Sequence, residues 1–223
     1  MRRRRTLVSG FVHNREVTQP PETHWDDVYS SKRVDEVSWY QSEPEQSLRR
    51  ITSVGERDRS IVDVGAGASL LVDRLVDVGF RDVTLVDISA QALAEVRDRL
   101  GPRAANVTFT HADLLKWQPG RTFDIWHDRA VFHFLTHPDD RDRYVELATT
   151  SVAPGGYVVL STFAPDGPTR CSGLEVARYD ASMLAEHFAA GFALVDSGRD
   201  THRTPWDAVQ PFTWVVLRRT RAA

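Results

Sequence analysis

Four acids stand at the ends of four short apolar runs, and histidines cluster after the last of them. Asp63 lies within Ile61–Leu71 (IVDVGAGASLL), just before a pair of glycines. Asp87 closes Val83–Val86, Asp113 follows Val107–Thr110 in the segment HADLL, and Asp128 follows Phe123–His127. A carboxylate accepts two donors at once, so an acid at Asp87 suits the hydroxyls of a ribose. An acid at Asp113 suits the exocyclic amine of a purine base. Asp128, His127 and His133 are the candidates for general acid–base work, because histidine titrates near neutrality and takes a proton from an amine, thiol or azole. His133 and His137 are spaced i, i+4, which raises a metal site. A catalytic zinc pattern such as H-E-x-x-H needs a glutamate between them, where this chain has Phe134-Leu135-Thr136, so no metal is expected.

Those acids are useful only if the elements before them end in one place. Ile61–Val64 reads as a buried strand, Gly65 and Gly67 as a turn, and Ser69–Val78 as a helix. Such a turn removes side chains, so that main-chain N–H groups and a helix N-terminus can approach a nucleotide-like ligand. The dinucleotide fingerprint G-x-G-x-x-G would require glycine at position 70, and Leu70 stands there. Further along, Ser89 caps a helix over Ala90–Leu100, Pro138 opens one running to about Val152, and Gly155-Gly156 turns into a strand over Tyr157–Phe163. Glu43–Gly55 and Ala181–Ala189 are also helical. Strands alternating with helices imply βαβ units, a parallel sheet and right-handed crossovers. The carboxyl ends of the strands then line one crevice. Phe192–Ser197 and Phe212–Leu217 have only a loop between them and predict an antiparallel hairpin at the sheet edge.

With 223 residues, the chain has room for one large α/β domain, taken as 23–223 behind a flexible tail over 1–22 that includes Arg2–Arg5. The net charge of −3 leaves no basic excess for a nucleic-acid partner. No apolar run approaches the roughly 20 residues of a membrane span. Without a signal segment the expected location is cytoplasmic, and the single cysteine, Cys171, suits that compartment. The expected assembly is a monomer or homodimer.

From about Thr23 to Arg219 the chain resembles a class I S-adenosylmethionine (SAM)-dependent methyltransferase of the methyltransferase domain 12/25 type. The resemblance rests on IVDVGAGAS, LVDIS, HADLL, FDIWHDRAVFHFL and VAPGGYVVLSTF, with the trailing hairpin. It implies a Rossmann-like α/β sandwich whose seven-stranded sheet has the order 3-2-1-4-5-7-6. It implies SAM as methyl donor and S-adenosylhomocysteine (SAH) as product. Cofactor contacts are then expected from Asp63, Gly65, Ala66, Gly67, Asp87, Ile88, Asp113, Leu114 and Asp128, with Trp39 and Tyr40 of the lead-in. Gly65 and Gly67 would face the methionine portion, Asp87 the ribose, and Asp113 the adenine.

The aromatic lead-in Thr23–Gln41, with Trp25, Tyr29, Trp39 and Tyr40, reads either as a helix on the sheet edge or as a lid over the cofactor within a helical segment, 23–55. The triplet Asp128-Arg129-Ala130 resembles the Asp-Lys-Gly of a subgroup that includes protein lysine methyltransferases. Tryptophans before the glycine turn also occur in thiopurine- and halide/thiol-type enzymes. The expected acceptor is therefore a small nucleophile methylated on S or N, with protein lysine as the alternative. Other classes are an NAD-dependent oxidoreductase and a non-catalytic SAM-binding protein. Acceptor contacts are expected from Arg129, Phe132, Phe163, Cys171 and Trp206. Phe163–Tyr179 is expected to be a lid loop, and His202, Trp206, Gln210 and Phe212 to reach the crevice from the hairpin.

Overall fold

A computed structural model describes residues 20–220. The Arg2–Arg5 run and most of the 1–22 tail lie outside the described residues. The chain begins with α1 (Pro21–Ser31) and α2 (Glu45–Val54), then alternates β1 (Ile61–Val64), α3 (Leu71–Asp77), β2 (Val83–Asp87), α4 (Ala90–Leu100) and β3 (Val107–His111). There follow β4 (Phe123–Arg129), α5 (Pro138–Ser151), β5 (Val152–Phe163), the two-residue pair β6 (Arg170–Cys171) and β7 (Leu174–Glu175), and α6 (Ala181–Phe188). Two long strands close the chain, β8 (Phe192–Arg203) and β9 (Val209–Arg219). The main sheet runs β3-β2-β1-β4-β5-β9-β8. With the β6–β7 pair set aside, this is the expected seven-stranded order.

The sheet separates two apolar layers. On one face Ile61, Leu85 and Ile125 meet Ile51 of α2, Leu75 of α3 and Leu93 and Val96 of α4. On the other, Val62, Val64, Trp126 and Leu160 meet Tyr144 and Ala148 of α5 and Phe188 of α6. The central strands β1 and β2 are buried along their whole length, as parallel strands covered on both faces must be. Successive side chains of a strand take opposite faces, so this layering decides which residue of each pair sees the site.

Helix ends follow local chemistry. Ser89 Oγ accepts from Ala92 N at 3.1 Å and starts α4, which stops at Gly101 in the left-handed region (φ 55°). Asp180 caps α6 by accepting from Met183 N at 2.8 Å. Three strands run several residues beyond expectation, β9 among them at Val209–Arg219. β5 starts at Val152 and passes through Gly155 (φ 82°) and Gly156 without breaking. β8 runs on to Arg203 through charged residues, because an outer edge strand turns one face to water. The expected lid loop is instead tied down: Val176 N donates to Thr169 O, Tyr179 N to Phe163 O, and β6 pairs with β7.

Candidate functional site

The glycine turn after β1 holds two residues in left-handed backbone, Gly65 (φ 59°) and Gly67 (φ 53°). Side chains there would collide. A Cβ on Gly65 would lie 2.0 Å from Val131 Cγ2, and one on Gly67 would lie 2.2 Å from the Tyr29 hydroxyl. The turn is clasped from β2. Asp87 accepts from Gly67 N at 2.7 Å and from Ser89 N at 2.8 Å. Burial pushes this carboxyl up to about 6, with Asp63 adding like-charge repulsion. From above, α1 covers the same edge. Tyr29 packs over Gly67, Asp26 accepts from Ser89 Oγ at 2.6 Å, and Glu22 reaches His111 at 3.4 Å.

Beneath the turn, β1 and β4 pair in parallel with Asp63 opposite His127. His127 Nδ1 lies 2.6 Å from Asp63 Oδ1, and Nε2 lies 2.9 Å from Ser47 Oγ on α2, all three side chains being buried. A carboxylate facing Nδ1 places the proton there, so Nε2 accepts from the serine hydroxyl. Asp63, His127, Ser47, Gly65, Trp39 and Tyr40 line one cavity, and Arg129 closes it. A second cavity is lined by Arg50, Ser161, Asp200, Thr201, His202 and Phe212. Gln41, Ser47 and Arg129 belong to both.

Arg129 continues the cavity face of β4. Its Nη1 donates to the Trp39 carbonyl at 3.2 Å, and its guanidinium lies 4.7 Å from the centre of the Phe212 ring. The next residue, Ala130, is left-handed (φ 72°), and its N–H donates to Ser161 O at 2.9 Å. His202 Nε2 lies 2.7 Å from Ser38 O, and burial together with Arg129 lowers its pKa, which favours the neutral ring.

Residues 61–156 match the family model described as a methyltransferase domain. Among solved structures, one reported for the conversion of a disulfide bond into a thioacetal group during echinomycin biosynthesis superposes with TM-score 0.72 at 18% identity, covering 91% of this chain and 94% of that one. N-methyltransferase NodS from Bradyrhizobium japonicum WM9, in complex with SAH, gives TM-score 0.69 at 14% identity, covering 89% and 100%. Burkholderia thailandensis 1,6-didemethyltoxoflavin-N1-methyltransferase, with its named ligand and SAH, gives 0.63 at 24% identity, covering 87% and 82%. No curated protein sequence matches the chain. The chain thus shares the fold of these methyltransferases, and its residues 61–156 match a methyltransferase domain.

The residues of the glycine turn fit a SAM-type cofactor. The glycines form a cradle that a Cβ would fill. Asp87 gives each of its oxygens one main-chain donor and retains lone pairs for hydroxyls. Ile88 stands beside it, its carbonyl 3.0 Å from His111 Nε2. Asp113 caps the short turn beginning at Leu114, accepting from Leu115 N at 3.1 Å and pairing with Lys116 at 2.8 Å, at the end of β3.

Several expected residues lie elsewhere. Asp128 points to the α5 side of the sheet, fully buried, and accepts from Val131 N (2.9 Å), Phe132 N (3.1 Å) and the Tyr144 hydroxyl (2.6 Å). It ties the end of β4 to α5, on the face of the sheet away from the His127 side chain. Phe132 packs against Tyr144 and Phe188 in the same core layer and is not an acceptor contact. His133 is fully buried against Phe163 and Phe134, lines neither cavity, and among the described residues has no hydrogen-bond partner on either ring nitrogen. Burial, then Arg129, lowers its pKa to about 3, which favours the neutral ring. His137 is exposed and caps α5, so the i, i+4 pair does not converge. Among the described residues no group of three or more His, Cys, Asp or Glu converges on a metal-sized space. Phe163 and Cys171 of β6 pack in one buried cluster with Phe212, where burial pushes the thiol up to about 11, and neither lines a cavity. Trp206 is 60% exposed on the β8–β9 turn, away from both cavities. His202 and Phe212 do reach the crevice. Ser47 carried no sequence signal of its own, being a polar residue in an amphipathic helix. The i−4 and i+4 positions, Glu43 and Ile51, give no hint of it.

Proposed function

We propose that the chain methylates a small nucleophilic molecule on nitrogen or sulfur, with the glycine-turn cavity taking the cofactor and the adjoining cavity taking the acceptor. The observation that carries this is the shared wall: Ser47 and Arg129 line both spaces, so the two ligands would meet there. SAM supplies a methyl group on a sulfonium, transferred in line to an acceptor lone pair while the bonding electrons return to sulfur. The protein positions and shields; no covalent intermediate is required. An acceptor that enters protonated loses its proton to Ser47 Oγ, which hands its own to His127 Nε2 while Asp63 stabilises the imidazolium through Nδ1. The second cavity is walled by α2, β4, β5, β8 and β9 and lined by polar and charged side chains, Arg50, Asp200 and His202 among them, with one phenyl ring, which supports a small polar acceptor over a protein lysine.

Calorimetry with SAH tests the cofactor half. Incubation with SAM and a panel of thiols, amines and azoles, read by SAH formation, tests the acceptor half. The expected result is SAH binding and turnover on a small molecule, lost on the order of 100-fold in His127→Gln. Methyl transfer confined to lysine residues of added proteins would sink the small-molecule reading.

A further inference from the structure

Among the described residues, no carboxylate reaches Arg129. Half-buried in the wall between the two cavities, its guanidinium is desolvated enough that burial pulls its pKa down to about 10. Arg50 sends Nη2 to both oxygens of Asp200 at 2.8 and 2.7 Å and Arg99 holds Asp73 at 2.9 Å, whereas Arg141 and Arg219 spend N–H groups on main-chain carbonyls. Among the described residues Arg129 has only the Trp39 carbonyl and the Phe212 face. Asp200, already engaged by Arg50, acts on it only through space. A desolvated charge without a counter-ion is costly unless a ligand completes it.

The surroundings specify the missing partner. The second cavity carries two cations, Arg50 and Arg129, against one anion, Asp200, with His202 favoured neutral, so it holds one net positive charge. One guanidinium edge is used by Trp39 and one face by Phe212, which leaves N–H donors in the plane of the fork. That geometry matches a planar two-oxygen group better than a point anion.

We propose that Arg129 is a carboxylate receptor at the junction of the two cavities, gripping the acid group of a bound small molecule. On the reading given above, that acid belongs either to the amino-acid portion of the cofactor or to the acceptor.

The test uses the full chain and three probes: SAH, 5′-methylthioadenosine, which lacks the amino-acid portion, and a panel of benzoate, phenylacetate and indole-3-acetate added to SAH-saturated protein. Titrations are compared in wild type, Arg129→Gln and Arg129→Lys, with thermal melts to confirm folding. Loss of one charge-assisted, two-pronged contact weakens its ligand at least tenfold. If Arg129→Gln weakens SAH tenfold or more and spares methylthioadenosine, the receptor serves the cofactor. If it spares SAH and abolishes aromatic-acid binding, the receptor serves the acceptor. In both cases Arg129→Lys, which keeps charge without the fork, restores only part of the affinity. Unchanged SAH affinity in Arg129→Gln, with no aromatic acid held by the SAH-loaded wild type, overturns the proposal. Should wild type bind neither SAH nor methylthioadenosine, the cofactor reading itself fails, and that result is distinct from a loss confined to Arg129→Gln.

Discussion

Asp87 and Asp128 end neighbouring parts of the same sheet, and burial drives both carboxyls up to about 6. Each accepts from two main-chain N–H groups. Their remaining surroundings differ. Asp87 clasps the glycine turn under α1, whereas Asp128 takes the Tyr144 hydroxyl, which itself accepts from Trp126 Nε1 at 2.9 Å. One acid stands beside a ligand cradle and the other closes a hydrogen-bond chain inside the α5 layer. The strand face separates the roles; the pKa shift alone does not.

Three measurements press on that contrast. The largest effect is expected in Asp128→Ala, which strands Tyr144 and two main-chain donors in the core. Urea denaturation is expected to show a loss of about 3–5 kcal/mol, with SAH affinity of the folded protein unchanged. Wild-type stability combined with lost turnover would return Asp128 to the catalytic set. An intermediate effect concerns pH. With its pKa raised in the folded state, Asp87 binds more protons folded than unfolded between the ordinary carboxylate value and about 6. Its contribution to stability is therefore greatest in acid and declines as pH climbs through that window. Ribose hydroxyls would donate to the ionised form, so SAH affinity should rise up to about tenfold from pH 5 to pH 7. Asp87→Asn should flatten that rise and Asp128→Asn should not; a rise that survives in Asp87→Asn separates the two acids less than argued. The smallest effect is expected in Trp206→Ala, on neither side of the contrast, at within about 0.5 kcal/mol by the same denaturation and with unchanged SAH binding.

Much of this was legible in the sequence. The run IVDVGAGASLL, the acids after each strand and the Ser89 cap are local signals, and the structure keeps α4 at the predicted Ala90–Leu100. What was missed has physical reasons. Pro154, Gly155 and Gly156 read as a turn, yet β5 absorbs them because Val152 and the residues after Gly156 pair on both sides of the bend. Asp128, His127, Arg129 and His133 are neighbours in sequence and were gathered into one site. Alternation along β4 sends His127 and Arg129 to the cavities and Asp128 to the core, and the turn that follows buries His133 among phenyl rings. Ser47 enters the site through tertiary packing from 80 residues away, which no local pattern announces.

Ala130 links these observations through conformational entropy. A left-handed alanine carries roughly 1 kcal/mol of backbone strain, which glycine would relieve. Glycine would also gain freedom in the unfolded chain, at about 0.4–1 kcal/mol, so the exchange nearly cancels in stability. What does not cancel is the breadth of native conformations open to the residue before it. With alanine the backbone after Arg129 has one narrow well, fixed by the bond to Ser161, and the guanidinium meets its ligand already ordered.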